Sequence, residues 1–264
     1  MTFAEDFFER GWCRFSHDPL LAEWIKACLP VARDTVADPA CAQWLRYQGT
    51  WFAGVNALPN DETGAVPGGP PLSGAAVEFI HRDLGIDTIT WDRAQVSVCY
   101  PGYPKPMDGE TDGQHRFRRD RDAAHVDGLL GLGQPKRRFL KEPHQFILGL
   151  PMVDASPGAS PFVIWEGSHE VMRKAFAAAF AGRPPATWPD IDITEVYVEA
   201  RKRCFETCKR VEIHARPGEA YIAHRLSLHG VAPWAEDANA GSDGRLICYF
   251  RPAMDDLGEW LSDS

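Results

Sequence analysis

The spacing of apolar residues divides the chain into a helical first third and a strand-rich remainder. Leu21, Trp24, Ile25, Cys28, Leu29 and Ala32 recur at intervals of three and four, which predicts an amphipathic helix, and Ser16 or Asp18 can cap its start. Residues 4 to 45 thus read as helix, short strand and longer helix. Residues 58 to 74 hold Pro59-Asn60-Asp61 and a Gly/Pro-rich run ending in Pro70-Pro71, which predicts a loop. That loop lacks the Gly-Lys-Ser/Thr ending of a phosphate cradle. A short helix is expected over about 72 to 84.

From residue 86 the period changes. Segments near 88–100, 145–153, 161–165, 210–214, 219–224 and 244–251 are short, apolar or alternating, and bounded by Gly, Pro or Asp, as strands are. Two stretches interrupt them. Residues 101 to 124 read as a long loop, and 170 to 207 as two helical stretches around Pro184-Pro185. With no internal repeat and no low-complexity linker, the expectation is one domain over 1–264. It comprises a helical part over about 1–85 and a jelly-roll core over about 86–252, an all-β core with flanking helices.

Composition adds a few exclusions. At 264 residues and 44% hydrophobic, the chain can fold on its own core, so a metal would be functional rather than structural. A net charge of -9 argues against nucleic acid or an anionic membrane as the main partner. Seven scattered cysteines without a C-x-x-C fit a reducing, cytoplasmic setting; Cys204 and Cys208, though i and i+4, have no further ligands beside them and read as spectators. The N-terminus has no basic segment followed by an apolar run, so no signal peptide is expected, and no stretch is apolar for a membrane-spanning length.

The candidate chemistry lies in His-x-Asp, which occurs twice. In a strand, residues i and i+2 project to one face, so an imidazole and a carboxylate can grip one ion. His81-Arg82-Asp83 fails this test, because Ala75, Ala76, Phe79 and Ile80 place it at the end of a helix, where i and i+2 diverge. Its kinase-like look also fails, since Thr88 stands where Asn is required. His125-Val126-Asp127 sits among strands instead. Downstream, Arg216 to Gly230 reads as turn, strand and then His229-Gly230 opening the next strand, and Gly244 to Pro252 is an alternating strand starting with Arg245.

Taken together these features resemble the phytanoyl-CoA dioxygenase family of iron(II)/2-oxoglutarate-dependent oxygenases over nearly the whole length. The resemblance is carried by Phe7-Phe8-Glu9-Arg10-Gly11-Trp12, His125-x-Asp127, Gly149-Leu150-Pro151 leading to Gly167-Ser168-His169, His229-Gly230 and the trailing Arg245. It implies a double-stranded β-helix (jelly roll, cupin-like) and a dioxygenase that uses Fe(2+), 2-oxoglutarate and O2 to hydroxylate a small molecule. His125, Asp127 and His229 would hold the iron and Arg245 the distal carboxylate of 2-oxoglutarate. Because Asp127 fills the position that related halogenases leave vacant, halogenation is not expected.

Each assignment has a rival. His224 competes with His229, where the following glycine lets backbones approach. Arg251 competes with Arg245 on the same face of one strand, and either guanidinium suits a carboxylate. Gln95 is a candidate co-substrate contact, with Tyr100 as its competitor. His169 reads as structural. Arg118, Arg119 and Arg121, interleaved with Asp120 and Asp122, read as a solvated loop, with an anion-recruiting lid as the sharper alternative. At the level of the protein, the rivals are a non-catalytic jelly-roll module that binds a ligand or metal and an iron enzyme that uses no 2-oxoglutarate.

Overall fold

In the computed structural model, which describes residues 2–262, the chain builds two antiparallel sheets with helices on their outer faces. The helices are α1 (Phe3–Arg10), α2 (Pro19–Ala37), α3 (Ala75–Arg82), α4 (Asp112–Asp120), α5 (Ser168–Phe180) and α6 (Thr194–Thr207). The first strands are β1 (Trp12–Phe15), β2 (Leu45–Arg46), β3 (Trp51–Gly54), β4 (Gln95–Cys99), β5 (Leu129–Leu132) and β6 (Arg137–Leu140). Then come β7 (Phe146–Pro151), β8 (Phe162–Glu166), β9 (Lys209–Ile213), β10 (Ala220–His224), β11 (His229–Val231) and β12 (Arg245–Phe250).

The large sheet runs β1-β10-β7-β12-β4-β3-β2 and the small one β11-β8-β9, with β5 and β6 forming a separate hairpin. A bridge between His125 and His229 adds one more extended segment to the small sheet. Period-2 alternation explains the layers. On β12, Ile247 and Tyr249 face inward, where they meet Ile147, Phe162 and Ile164 of the opposing strands. Leu246, Cys248 and Phe250 face outward onto α2 and α3, through Trp24, Phe79 and their neighbours. The outer face of the small sheet is covered by α5 and α6, with Trp165, Phe176 and Tyr197 in that cluster.

Local chemistry agrees with the expected boundaries in several places. Asp18 caps α2, accepting from the Leu20 amide at 2.8 Å, and its other oxygen accepts from Ala75 N at 2.7 Å, tying α3 to the same residue. Three features were not expected. Residues 101 to 124 contain α4, started by a capping box between Thr111 and Gln114. β5 and β6 form a hairpin, and β2 and β3 extend the edge of the large sheet, so the first 85 residues are not purely helical. All seven cysteines are free. Among the described residues, no helix is long and apolar enough to cross a membrane.

Candidate metal centre

His125 and His229 face each other across a narrow antiparallel pair. His125 N donates to His229 O at 2.8 Å, and His229 N donates to His125 O at 3.0 Å. This backbone exchange sets the two imidazoles side by side, centroids 4.6 Å apart. Gly230 is required here, because a Cβ at that position would meet the Asp122 carbonyl oxygen at 2.1 Å. Just upstream, Asp122 and Ala123 both sit in the left-handed region, at φ 53° and 52°. Such residues persist where surrounding contacts hold them. Arg210 does so, donating to both oxygens of buried Asp122 at 2.7 and 2.9 Å.

Asp127, two residues on, turns its carboxylate between the imidazoles. Oδ1 lies 3.2 Å from His125 Nε2 and Oδ2 lies 3.7 Å from His229 Nε2. Cis ligands held at roughly 2.1 Å from one ion would be about 3 Å apart, so this spacing suits one face of a coordination sphere. The tautomers suit it too. Nδ1 of His125 lies 3.0 Å from Ala123 O and Nδ1 of His229 lies 2.9 Å from Ser227 O. A carbonyl only accepts, so each Nδ1 carries the hydrogen and each Nε2 presents its lone pair to Asp127's side of the site. Burial pushes the His229 imidazole down to about 4, keeping it neutral at ordinary pH. Burial alone would raise the Asp127 carboxyl; the Arg251 charge and the neighbouring imidazoles outweigh it and hold the group well below the usual range.

The triad opens onto a cavity of about 550 Å³, within the range that takes small molecules. Gln95 lines it, whereas Tyr100 packs against the helix-facing side of the sheet. His224 is buried among Phe7 and His169 and does not join the triad. His169 starts α5, its Nε2 3.0 Å from Phe8 O, in the structural role expected of it. His81 lies on α3 with Nδ1 2.6 Å from Ile86 O, and Arg82 pairs with Asp83, so the second His-x-Asp forms no cluster.

Arg245, which opens β12, and Arg251, just past its end, part company. Arg251 lines the cavity and donates to Asp127 Oδ2 at 3.2 Å. Arg245 lies deeper and does not line the cavity; its Nη2 donates to the Tyr249 hydroxyl at 3.2 Å, which also accepts from the Tyr221 hydroxyl at 3.0 Å. Its Nη1 is buried without a hydrogen-bond partner among the described residues, as is Ser160 Oγ. Cys99, its thiol pushed up to about 11 by burial, interacts with both Arg245 and Ser160. A buried guanidinium without a carboxylate is costly, and here its charge meets the Tyr249 and Tyr221 hydroxyls and the Cys99 thiol instead. Sequence reasoning did not single out the Asp122–Arg210 pair, the Arg251–Asp127 contact, His144 in the cavity wall or Ser160. The two pairs join residues far apart in sequence and carry no local signal.

No protein-family model matches this sequence, and no curated protein matches it. Solved structures do. The non-heme alpha-ketoglutarate-dependent carbocyclase SnoK from nogalamycin biosynthesis aligns with a TM-score of 0.50 at 13% identity, over 96% of this chain and 83% of that one. The fold is a double-stranded β-helix. The nogalamycin epimerase SnoN, in complex with Fe3+, alpha ketoglutarate and nogalamycin RO, aligns at TM-score 0.49 and 14% identity, over 95% of this chain and 82% of that one. A prolyl-4-hydroxylase from Pseudomonas putida aligns at 0.44 and 12%, over 96% and 98%. At such identities the likeness speaks to architecture, and of these three the carbocyclase carries that argument.

Proposed function

We propose that this chain is a non-haem iron(II)/2-oxoglutarate-dependent dioxygenase that hydroxylates a small molecule, related to the phytanoyl-CoA dioxygenase group. The observation that carries the reading is the convergence of His125, Asp127 and His229, their ligating atoms within 4.8 Å of one another, at a cavity of small-molecule size. Two imidazoles and one carboxylate on one face leave the opposite positions of an octahedral ion open. When bound, iron would couple the oxidative decarboxylation of 2-oxoglutarate to oxidation of the substrate.

The chain's own residues supply the rest. His125 and His229 present fixed Nε2 lone pairs, and Asp127 is kept ionised by Arg251. The distal carboxylate of 2-oxoglutarate would be received by the buried Nη1 of Arg245, a donor without a hydrogen-bond partner among the described residues. Tyr249 would have to yield to open that path, since its hydroxyl now holds Arg245. Gln95, one strand over, is positioned to donate to the co-substrate along the cavity wall. Phe162, stacked on His229 at 5.3 Å, and Ile147 would give a bound metal an apolar flank on the buried side of the triad.

The second reading, an iron enzyme that uses no 2-oxoglutarate, draws on one observation: Arg245 is engaged by Tyr249 and lies off the cavity. Isothermal titration of 2-oxoglutarate into the iron(II)-loaded protein, without oxygen, separates the two. Saturable binding that vanishes in Arg245→Ala supports the first; no binding supports the second.

A further inference from the structure

The lining of the cavity differs in charge from the protein as a whole. The chain carries a net charge of -9, yet Arg46, Arg118, Arg138 and Arg251 line this one cavity and no lysine does. Of the lining carboxylates, Asp122 is already held by Arg210, and Asp127 belongs to the triad. Glu142 is the remaining lining carboxylate, and neither Arg46 nor Arg138 has a carboxylate within ion-pair distance among the described residues. Arg46 spreads over the Trp44 ring at 5.3 Å, and the Arg138 guanidinium donates to the carbonyl of Leu129 at 3.1 Å.

Arg118 completes the wall. It leaves the solvated neighbours on α4, where Arg119 pairs with Asp120, and turns inward. Its guanidinium lies 4.0 Å from the Tyr47 centroid and donates to Glu110 at 2.6 Å, while its buried Nε has no hydrogen-bond partner among the described residues. Beneath it, Tyr47 and Trp51 stack at 5.7 Å with an interplanar angle of 10°, and Tyr103 closes the edge. Guanidinia recognise oxyanions through paired N–H donors, and aromatic faces recognise flat apolar bodies.

We infer that the substrate of this cavity is an organic oxyanion with a flat or ring-shaped apolar body, its anionic group held by Arg46, Arg118 and Arg138 and its body against Tyr47, Trp51 and Tyr103. This rests on the reading of the cavity as the site of turnover. It also gives the arginine-rich stretch before His125 a narrower role than a lid: one residue of it, Arg118, faces the cavity.

The test uses phenylacetate, phenyl phosphate and neutral phenylacetamide, titrated calorimetrically into the whole metal-free protein, so that its result does not depend on iron. At least one anion is expected to bind at least about tenfold tighter than the amide, and which one it is distinguishes a carboxylate from a phosphate substrate. Arg46→Gln and Arg138→Gln are each expected to weaken that anion roughly three- to fivefold, as partly solvated charges do, and the double variant about tenfold or more. Arg118→Gln also loses the Glu110 pair, so Arg46 and Arg138 carry the result; Arg119→Gln should leave affinity unchanged. Equal affinity for anion and amide, or anion binding lost in Arg245→Gln but kept in the Arg46/Arg138 double variant, would overturn the inference. Anion binding at the wall in a protein that takes up no iron would leave the anion site standing and remove the oxygenase reading alone.

Discussion

Strand β12 carries an arginine beside each end, and the two meet opposite circumstances. Arg251, just past the strand at the cavity, is engaged: its guanidinium contacts Asp127, and its amide donates to Asp92 at 2.9 Å. Arg245, at the strand's start, is 5% exposed and keeps an Nη1 without a hydrogen-bond partner among the described residues. Both side chains point into the barrel, because positions 245, 247, 249 and 251 share one face. The contrast teaches how to separate support from a socket. In the proposed reading, Arg251 holds the ligand carboxylate of Asp127 in place, whereas Arg245, with an Nη1 to spare, receives the anion of the co-substrate.

The largest effects should come from the ligands that Arg251 supports. Replacing His125, Asp127 or His229 by Ala is expected to abolish turnover and weaken iron(II) binding by at least about a hundredfold, exceeding the loss typical of outer-shell changes. His81→Ala, in the helical copy of the motif, should leave iron affinity unchanged. Equilibrium dialysis against iron(II) reads both, and a ligand variant of wild-type affinity would remove that residue from the triad.

Next comes the socket. Deleting one partner of a buried ion pair costs roughly 2–5 kcal/mol, so Arg245→Ala should weaken 2-oxoglutarate at least about thirtyfold with iron affinity unchanged. Arg245→Lys should recover part of the loss, keeping charge without the fork. Arg251→Ala is expected to do the reverse, lowering iron affinity about tenfold with a lesser effect on 2-oxoglutarate. If the two variants exchange phenotypes in calorimetry, the assignment of socket and support is inverted.

Acidification sharpens the same contrast from the metal side. His229 takes a proton at about 6.5 in the unfolded chain but at about 4 when buried. Between those values the unfolded chain binds the extra proton, so the stability of the metal-free protein should fall as pH drops from about 6.5 to 4. The loss is on the order of 3 kcal/mol. Asp127 adds to it lower down, its contribution being present above the usual carboxylate pKa and lost as pH falls through the depressed one. Urea midpoints across that range should decline less steeply in His229→Asn; an unchanged slope would contradict the burial argument.

Smaller still is the effect of the pair that shapes the ligand loop. Arg210→Ala leaves buried Asp122 without its partner within the left-handed turn that leads into His125. Iron affinity should drop a few-fold and the melting temperature should fall by several degrees, consistent with about 1–2 kcal/mol.

These outcomes follow the line between what was legible in the sequence and what was not. The inner strands announced themselves by alternation: Ile247 and Tyr249 inward, Leu246, Cys248 and Phe250 outward. Of the expected ligands, His229 opens β11 as read, whereas His125 makes a single bridge and Asp127 falls in the turn after it rather than in a continuous strand. The helix α4 did not, because Arg116, Arg118 and Arg119 give it no apolar stripe, although Thr111 and Gln114 spelled a capping box. The hairpin β5–β6 stayed hidden because half of it is exposed and its pattern does not alternate. In the site, residue type and spacing pointed to His125, Asp127 and His229. Which arginine meets Asp127, and that Arg210 reaches Asp122 from 88 residues away, depend on packing that local pattern does not encode.

The most direct test of the account is an anaerobic titration of iron(II) and then 2-oxoglutarate into the protein, watched in the visible range. A charge-transfer band should appear only when both are present, saturate at one equivalent of each, and be absent in Asp127→Ala. It should need at least about thirtyfold more 2-oxoglutarate in Arg245→Ala. Iron binding without any such band at saturating 2-oxoglutarate would contradict it, and would leave an iron protein whose deep arginine serves the fold alone.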